Sequence, residues 1–152
     1  MRDIRVQQEA FDPGAELARL EALGGGAVAS FTGLVRADGG LVEMTLEHYP
    51  AMTARAMERI AVEAEARWPL IGLTLIHRHG PLQPGDRIVF VGTASSHRAA
   101  ALESCAFLID WLKTAAPFWK RESFADGRQT WVEPRKADDV AASRWQQNRE
   151  TA

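Results

Sequence analysis

Between Arg87 and Pro117 the chain reads RIVFVGTASSHRAAALESCAFLIDWLKTAAP, and this stretch narrows the fold more than any other. After Arg87, the next eight residues are β-branched, aromatic or small, a run short enough for a central strand. Beyond Ser95 the pattern changes to helical spacing. Leu102, Cys105, Ile109 and Leu112 fall on one stripe, Ser95 or Ser96 stands where a cap is wanted, and Pro117 stops the helix. A strand that feeds directly into an amphipathic helix predicts a sheet with that helix packed on it.

The rest of the chain fills in the two layers. DIRVQ alternates, and DPGAELARLEAL reads as a helix capped by Asp12 with Pro13 in its first position, stopped by the glycines at 24–26. AVASFTGLVR runs into the turn ADGG and is followed by LVEMTLEHY, with Val42, Met44 and Leu46 on one face, so the pair predicts a half-buried hairpin. AMTARAMERIAVEAEARW carries Met57, Ile60, Ala61, Ala64 and Trp68 at helical spacing, LIGLTLIHRHG is a further strand, and PLQPGD makes a turn. FWKRESF and RQTWVE flank Asp126-Gly127, a second hairpin signal, and a charged tail begins at about residue 137. Several links are hairpins, so the expected class is α+β, a mostly antiparallel sheet with packed helices, in one domain over residues 1–152.

Composition excludes some functions. A net charge of −2 gives no global basic field for nucleic acid. The single cysteine, Cys105, excludes an internal disulfide, the N-terminal MRDIRVQQEAF lacks the apolar core of a signal peptide, and no apolar run approaches the roughly 18 residues of a membrane span. A cytoplasmic protein is expected. Cys105 itself falls on the predicted apolar stripe and reads as a core residue.

Any anion site must then be local. His97 and Arg98 begin the long helix, where cations are disfavoured by about 0.3–1 kcal/mol, and free backbone N–H groups beside a guanidinium suit phosphate or carboxylate. Lys113 lies in the last turn, where the helix dipole alone would explain it. Lys120, beyond Pro117 and beside Phe118 and Trp119, is placed for desolvation and for use as an acid or base, although Glu122, two residues on, offers a plain ion pair. Arg36 ends a strand beside a glycine-bearing loop. His77 and His79 sit two apart on one strand, a metal-like spacing, but no third ligand is close in sequence and no metal is expected. His97 and Lys113 are separated by about 24 Å along one helix, so they serve a long substrate or meet across a homodimer. From the residues alone three functions stay open: acid–base or group-transfer catalysis by the lysines, a non-catalytic module that binds an anion or a peptide tail, and a Schiff-base lysine enzyme.

The strings FTGLVR, LEHYPAM, GDRIVFVGTASSHRAA and IDWLKTAAPFWKRE together resemble the MoaE family, the catalytic large subunits of molybdopterin synthase. An HR pair after a strand, then D-x-L-K, then P-x-W-K-[KR]-E carries the likeness, which runs from the first strand to WVEPR and the tail. It implies an α/β hammerhead-type fold with a small extra β subdomain. It also implies a homodimer in which each subunit binds one small MoaD-like, ubiquitin-like sulfur carrier, a heterotetramer overall. The carrier's C-terminal Gly-Gly thiocarboxylate would deliver sulfur twice to cyclic pyranopterin monophosphate, making the molybdopterin dithiolene without a metal or organic cofactor. By motif, Lys113 and Lys120 are the catalytic lysines. Arg36, His97, Arg98, Arg121, Glu122 and Arg135 match substrate-binding positions, and Phe31, Leu34, Val35, Phe118 and Trp119 match the pocket lining. Arg121 stands where many relatives have a second lysine, which keeps the charge and changes the donor geometry.

Overall fold

The computed structural model describes residues 1–132 together with Ser143 and Trp145. Arg135 and most of the predicted tail therefore lie outside the described residues. The elements run β1 (Arg2–Gln7), α1 (Pro13–Glu21), β2 (Ala27–Leu34), a 3-10 turn (Asp38–Gly40), β3 (Leu41–His48), α2 (Pro50–Arg67), β4 (Leu70–Arg78), β5 (Gly80–Leu82), β6 (Arg87–Ser95), α3 (Arg98–Thr114), β7 (Phe118–Phe124) and β8 (Gln129–Val132). Two four-stranded sheets result, ordered β1-β4-β6-β2 and β5-β3-β7-β8. Only β1 and β4 pair in parallel, so the α+β, mostly antiparallel expectation holds, and the second sheet is the extra β unit.

Local chemistry explains the helices. Asp12 accepts a hydrogen bond from the Gly14 backbone N–H at 3.0 Å, and Pro13 occupies the first turn of α1. In α2 the predicted stripe is buried at Met57, Ile60, Ala61 and Ala64, which face the first sheet. Leucines and valines of both sheets join one apolar cluster, including Leu46 and Leu82 from the second and Leu73, Leu75 and Val91 from the first.

Four local expectations are corrected. β2 and β3 form no hairpin: β2 pairs with β6, and β3 pairs with β7 and β5 in the other sheet. The positive φ of Gly39 (64°) and Gly40 (82°) turns the chain out of the first sheet instead of folding it back. PLQPGD is not wholly turn, because Gly80–Leu82 adds a short strand to β3. In α3 the buried arc is Ala101, Ser104, Cys105, Leu108 and Leu112, one step round from the predicted stripe, so Leu102 is 60% exposed. The residue at the α3 cap is His97, without a side-chain capping bond, and not Ser95 or Ser96.

Helix α3 runs back along β6. The Thr93 hydroxyl donates to the Ala101 carbonyl at 2.7 Å, and the Cys105 thiol points to the Val91 carbonyl at 3.9 Å. Four residues along the helix thus match two along the strand, about 6.0 against 6.6 Å. Continued at that pitch, Lys113 reaches the level of Arg87, where β2 ends at Leu34.

The glycines at 24–26 do more than stop α1. A Cβ on Gly26 would lie 2.3 Å from the Ser96 carbonyl oxygen, so the loop packs backbone to backbone against the start of α3. Gly26→Ala is expected to destabilise the protein by about 1–3 kcal/mol, read as a lower urea midpoint at unchanged slope.

Candidate active site

The three residues Ala115, Ala116 and Pro117 link α3 to β7, and this short link sets Lys113 and Lys120 on either side of one corner. Lys113 is exposed in the last turn of α3 and Lys120 is half-buried in β7. Alternation in β7 puts Phe118, Lys120 and Glu122 on one face, opposite His48, Leu46 and Met44 of β3. Met44 and Leu46 are buried, so this face looks into the molecule.

At the corner stands His77 of β4. Its ring is stacked on Phe118, with centroids 3.8 Å apart and planes 13° from parallel. Nδ1 lies 2.8 Å from the Arg78 carbonyl oxygen, which can only accept, so Nδ1 carries the hydrogen and Nε2 keeps its lone pair. Burial pushes the imidazole down to about 3, and the positive charges of Lys113 and Lys120 and the neighbouring His48 press in the same direction, against the Arg78 hydrogen bond. Both lysines therefore lie within electrostatic reach of one buried ring. His48 adds its own ring 5.4 Å from Phe118 and 4.5 Å from His79; desolvation first, then His79, lowers its proton affinity.

The two aromatics of the FWK motif part company. Phe118 shares the Lys120 face, whereas Trp119 points to the opposite face, donates from Nε1 to Glu47 Oε2 at 3.1 Å and packs on Tyr49 at 5.0 Å. Arg121 lies on that same outer face, opposite Thr45 and Trp131. Its Nε is buried with no hydrogen-bond partner among the described residues, an arrangement that suits an anion.

The remaining predicted residues divide by helix end. Arg36 lies just past β2 at the Lys113 level, exposed, with Nε 3.4 Å from Asp38 Oδ2, a surface pair weak enough to yield to a ligand. Leu34 is exposed there, Phe31 is a little over a third exposed further along β2, and Val35 is buried in the core. His97 and Arg98 are exposed at the opposite end of α3, about 24 Å away along the axis. Within one chain the structure joins the lysines and Arg36 at one end and leaves the His97–Arg98 corner at the other. Arg135 lies outside the described residues. Among the described residues no cluster of three or more His, Cys, Asp or Glu could hold a metal. An open apolar groove of about 1190 Å³ along α2, lined by residues including Tyr49, Met52 and Val62, holds none of the predicted site residues.

The family model described as "MoaE protein" matches residues 6–115. The chain belongs to the MoaE family. Among its relatives, the molybdopterin synthase catalytic subunit of Pseudomonas aeruginosa is 56% identical over 149 residues, covering 95% of this chain and 99% of that protein. A solved structure of the Burkholderia ambifaria molybdopterin biosynthesis MoaE protein superposes with a TM-score of 0.81 at 49% identity, covering 95% of this chain and 98% of that one. The molybdopterin synthase structure from Staphylococcus aureus gives 0.74 at 29% identity, covering 84% and 95%.

Sequence reasoning finds His77 only as half of a metal pair with His79, although His79 lies beyond β4 and faces His48. The placement of His77 depends on the meeting of two sheets, which no local pattern announces. Its low proton affinity has a consequence for this MoaE protein. Unfolded, it takes up a proton below about 6.5; folded, it does so only near 3. The unfolded state thus binds more protons in between, and stability falls as pH falls through that window. Denaturant titration at pH 7 and pH 5 is expected to show wild type losing about 2 kcal/mol more than His77→Phe.

Proposed function

We propose that this chain is the catalytic subunit of a molybdopterin synthase, a sulfurtransferase that moves sulfur from the thiocarboxylate of a small carrier protein to cyclic pyranopterin monophosphate. The observation that carries the reading is the three-residue link that sets Lys113 and Lys120 on either side of one corner, both within electrostatic reach of the buried His77, in a chain of this family. Attack by a thiocarboxylate sulfur needs a cation to hold the thioacid and the developing oxyanion, and a group that exchanges protons. Lys120, half-buried beside Phe118, takes the first role. Lys113, across the three-residue link, takes the second. Each transfer places one sulfur on the pterin side chain, and water returns the carrier as its carboxylate. A carrier ending in two glycines fits a narrow approach because a tail without Cβ atoms can lie close to protein backbone. The sulfur arrives already activated, and the reading calls for no further cofactor. It also places the protein in the cytoplasm; no helix among the described residues is long and apolar enough to cross a membrane.

The substrate phosphate is held by arginines. Arg36 stands at the lysine end, and Arg121 offers a buried Nε. His97 and Arg98 reach the lysine corner only from a second copy, so the reading includes a homodimer whose sites are each built from two subunits, with one carrier per subunit. Glu122 shares the Lys120 face and orients it.

Lys120→Ala is expected to abolish molybdopterin formation and Lys113→Ala to slow it at least tenfold, both with carrier binding retained; mass spectrometry of the pterin product reads this directly. Comparable product from Lys120→Ala would remove that lysine from the mechanism. Arg98→Ala should chiefly raise KM for the pterin.

Shared sites make a sharper prediction. When Lys120→Ala subunits, which are inactive, and Arg98→Ala subunits, which are weakened at subsaturating pterin, are unfolded together and reassembled, half of the dimers are mixed and each mixed dimer has one intact site, so about a quarter of wild-type activity returns at subsaturating pterin. No recovery above the sum of the separate variants would place each site within a single subunit.

A further inference from the structure

We propose that His77 is a positioning residue for the two lysines: its ring, stacked on Phe118, pins the Ala115–Pro117 link to the first sheet and so fixes where Lys113 and Lys120 stand relative to each other. The inference rests on the sulfur-transfer reading above and deepens it.

The stack ties together two strands that no backbone ladder joins. His77 belongs to β4 in the first sheet and Phe118 begins β7 in the second, so the contact lies where the two sheets meet. Phe118 is the first residue after the link, five positions from Lys113 and two from Lys120. The link's own backbone bonds are local: Ala115 and Ala116 N–H to Trp111 O at 2.8 and 3.3 Å, and Phe118 N–H to Ala116 O at 2.8 Å. None of these reaches β4. The ring pair does, and His77 is itself held by its Nδ1 bond to the Arg78 carbonyl at 2.8 Å and is 7% exposed.

The groups that face the ring agree with this role. Burial first, and then the charges of Lys113 on α3 and Lys120 on β7 and the neighbouring His48 of β3, with His79 behind His48, keep His77 uncharged throughout the range in which lysines titrate. The plate therefore does not change charge when either lysine gains or loses a proton. Since two ammonium groups repel, their spacing governs how readily one of them gives up its proton. Loosening the link changes that spacing.

The experiment compares wild type, His77→Ala, His77→Phe and Phe118→Leu in product formation with excess thiocarboxylated carrier. In parallel, the rate of amine acetylation at Lys113 and Lys120 is followed against pH by mass spectrometry. His77→Ala is expected to lower kcat at least tenfold with KM for the carrier changed less than about twofold, and to move the pH midpoint of lysine labelling. His77→Phe, which restores a ring of similar area, should bring kcat back to within about threefold of wild type. Phe118→Leu should reproduce the His77→Ala phenotype from the other side of the stack, and it decides the matter if His77→Ala does not fold. Wild-type kcat in folded His77→Ala, or in Phe118→Leu, overturns the proposal. So does a loss of kcat with the labelling midpoint unmoved, which assigns the stack to general packing. A His77→Phe variant as slow as His77→Ala overturns it too, because the nitrogens and not the plate would then matter. If wild type itself makes no product, the sulfur-transfer reading fails instead, while the labelling comparison still reports on the stack.

Discussion

The lie of α3 on β6 governs where every candidate group stands. β6 is hydrogen-bonded on both sides, by β4 and β2, and offers one face to the helix. The buried Thr93 hydroxyl, bonded to the Ala101 carbonyl, fixes the register, since a one-residue slip would strand a polar group in the apolar interior. Once that register is set, the rise of the helix and of the strand stay nearly matched. His97 and Arg98 are then committed to one end of the layer and Lys113 to the other. The distance is a property of helix geometry, and no side-chain rotamer closes it.

The far end of α3 is secured separately. Trp68, at the end of α2, donates from Nε1 to Glu103 at 3.0 Å, and its ring packs on Phe107. Trp145 closes the group, edge-on to Trp68 and Phe107, with Nε1 donating to Asp110 Oδ2 at 2.8 Å. Aromatic pairs of this kind contribute about 0.5–1.5 kcal/mol beyond their buried area. They hold the stretch of α3 just before Lys113, so the helix that carries this lysine is braced by α2 and by Trp145 as well as by the sheet.

How much is legible in the sequence depends on the range of the forces involved. α1, α2 and β6 declare themselves through caps, periodicity and β-branched runs, all set within a few residues. The hairpin at Asp126-Gly127 is equally local, and β7 and β8 pair across it. The choice of sheet is not local. Asp38-Gly39-Gly40 looks like a hairpin turn, but the partner of β3 is β7, some seventy-five residues away, and the partner of β2 is β6. Leu102 misleads for a related reason: the helix has apolar residues on most sides, and only the direction of the sheet selects Ala101, Cys105, Leu108 and Leu112 as the inner row. The lysines are legible as motif members. The buried ring within their electrostatic reach is not, because His77 enters the corner through strand order alone.

A neutral aromatic ring is well suited to that corner, and the alternatives show why. A carboxylate at position 77 would pair with both lysines and hold them charged and occupied, which removes them from acid–base work. A permanent cation would add a third positive charge to a buried cluster and push the lysines apart. An aliphatic side chain would fill the space but leave the Arg78 carbonyl without its donor, and would not stack on Phe118. Histidine with its hydrogen on Nδ1 meets all three constraints: it satisfies the carbonyl, presents a flat face to Phe118, and stays uncharged first because it is buried and then because the lysines oppose its protonation. The arrangement is self-consistent, since the charges the ring helps to place act in the same direction as the burial that keeps it neutral.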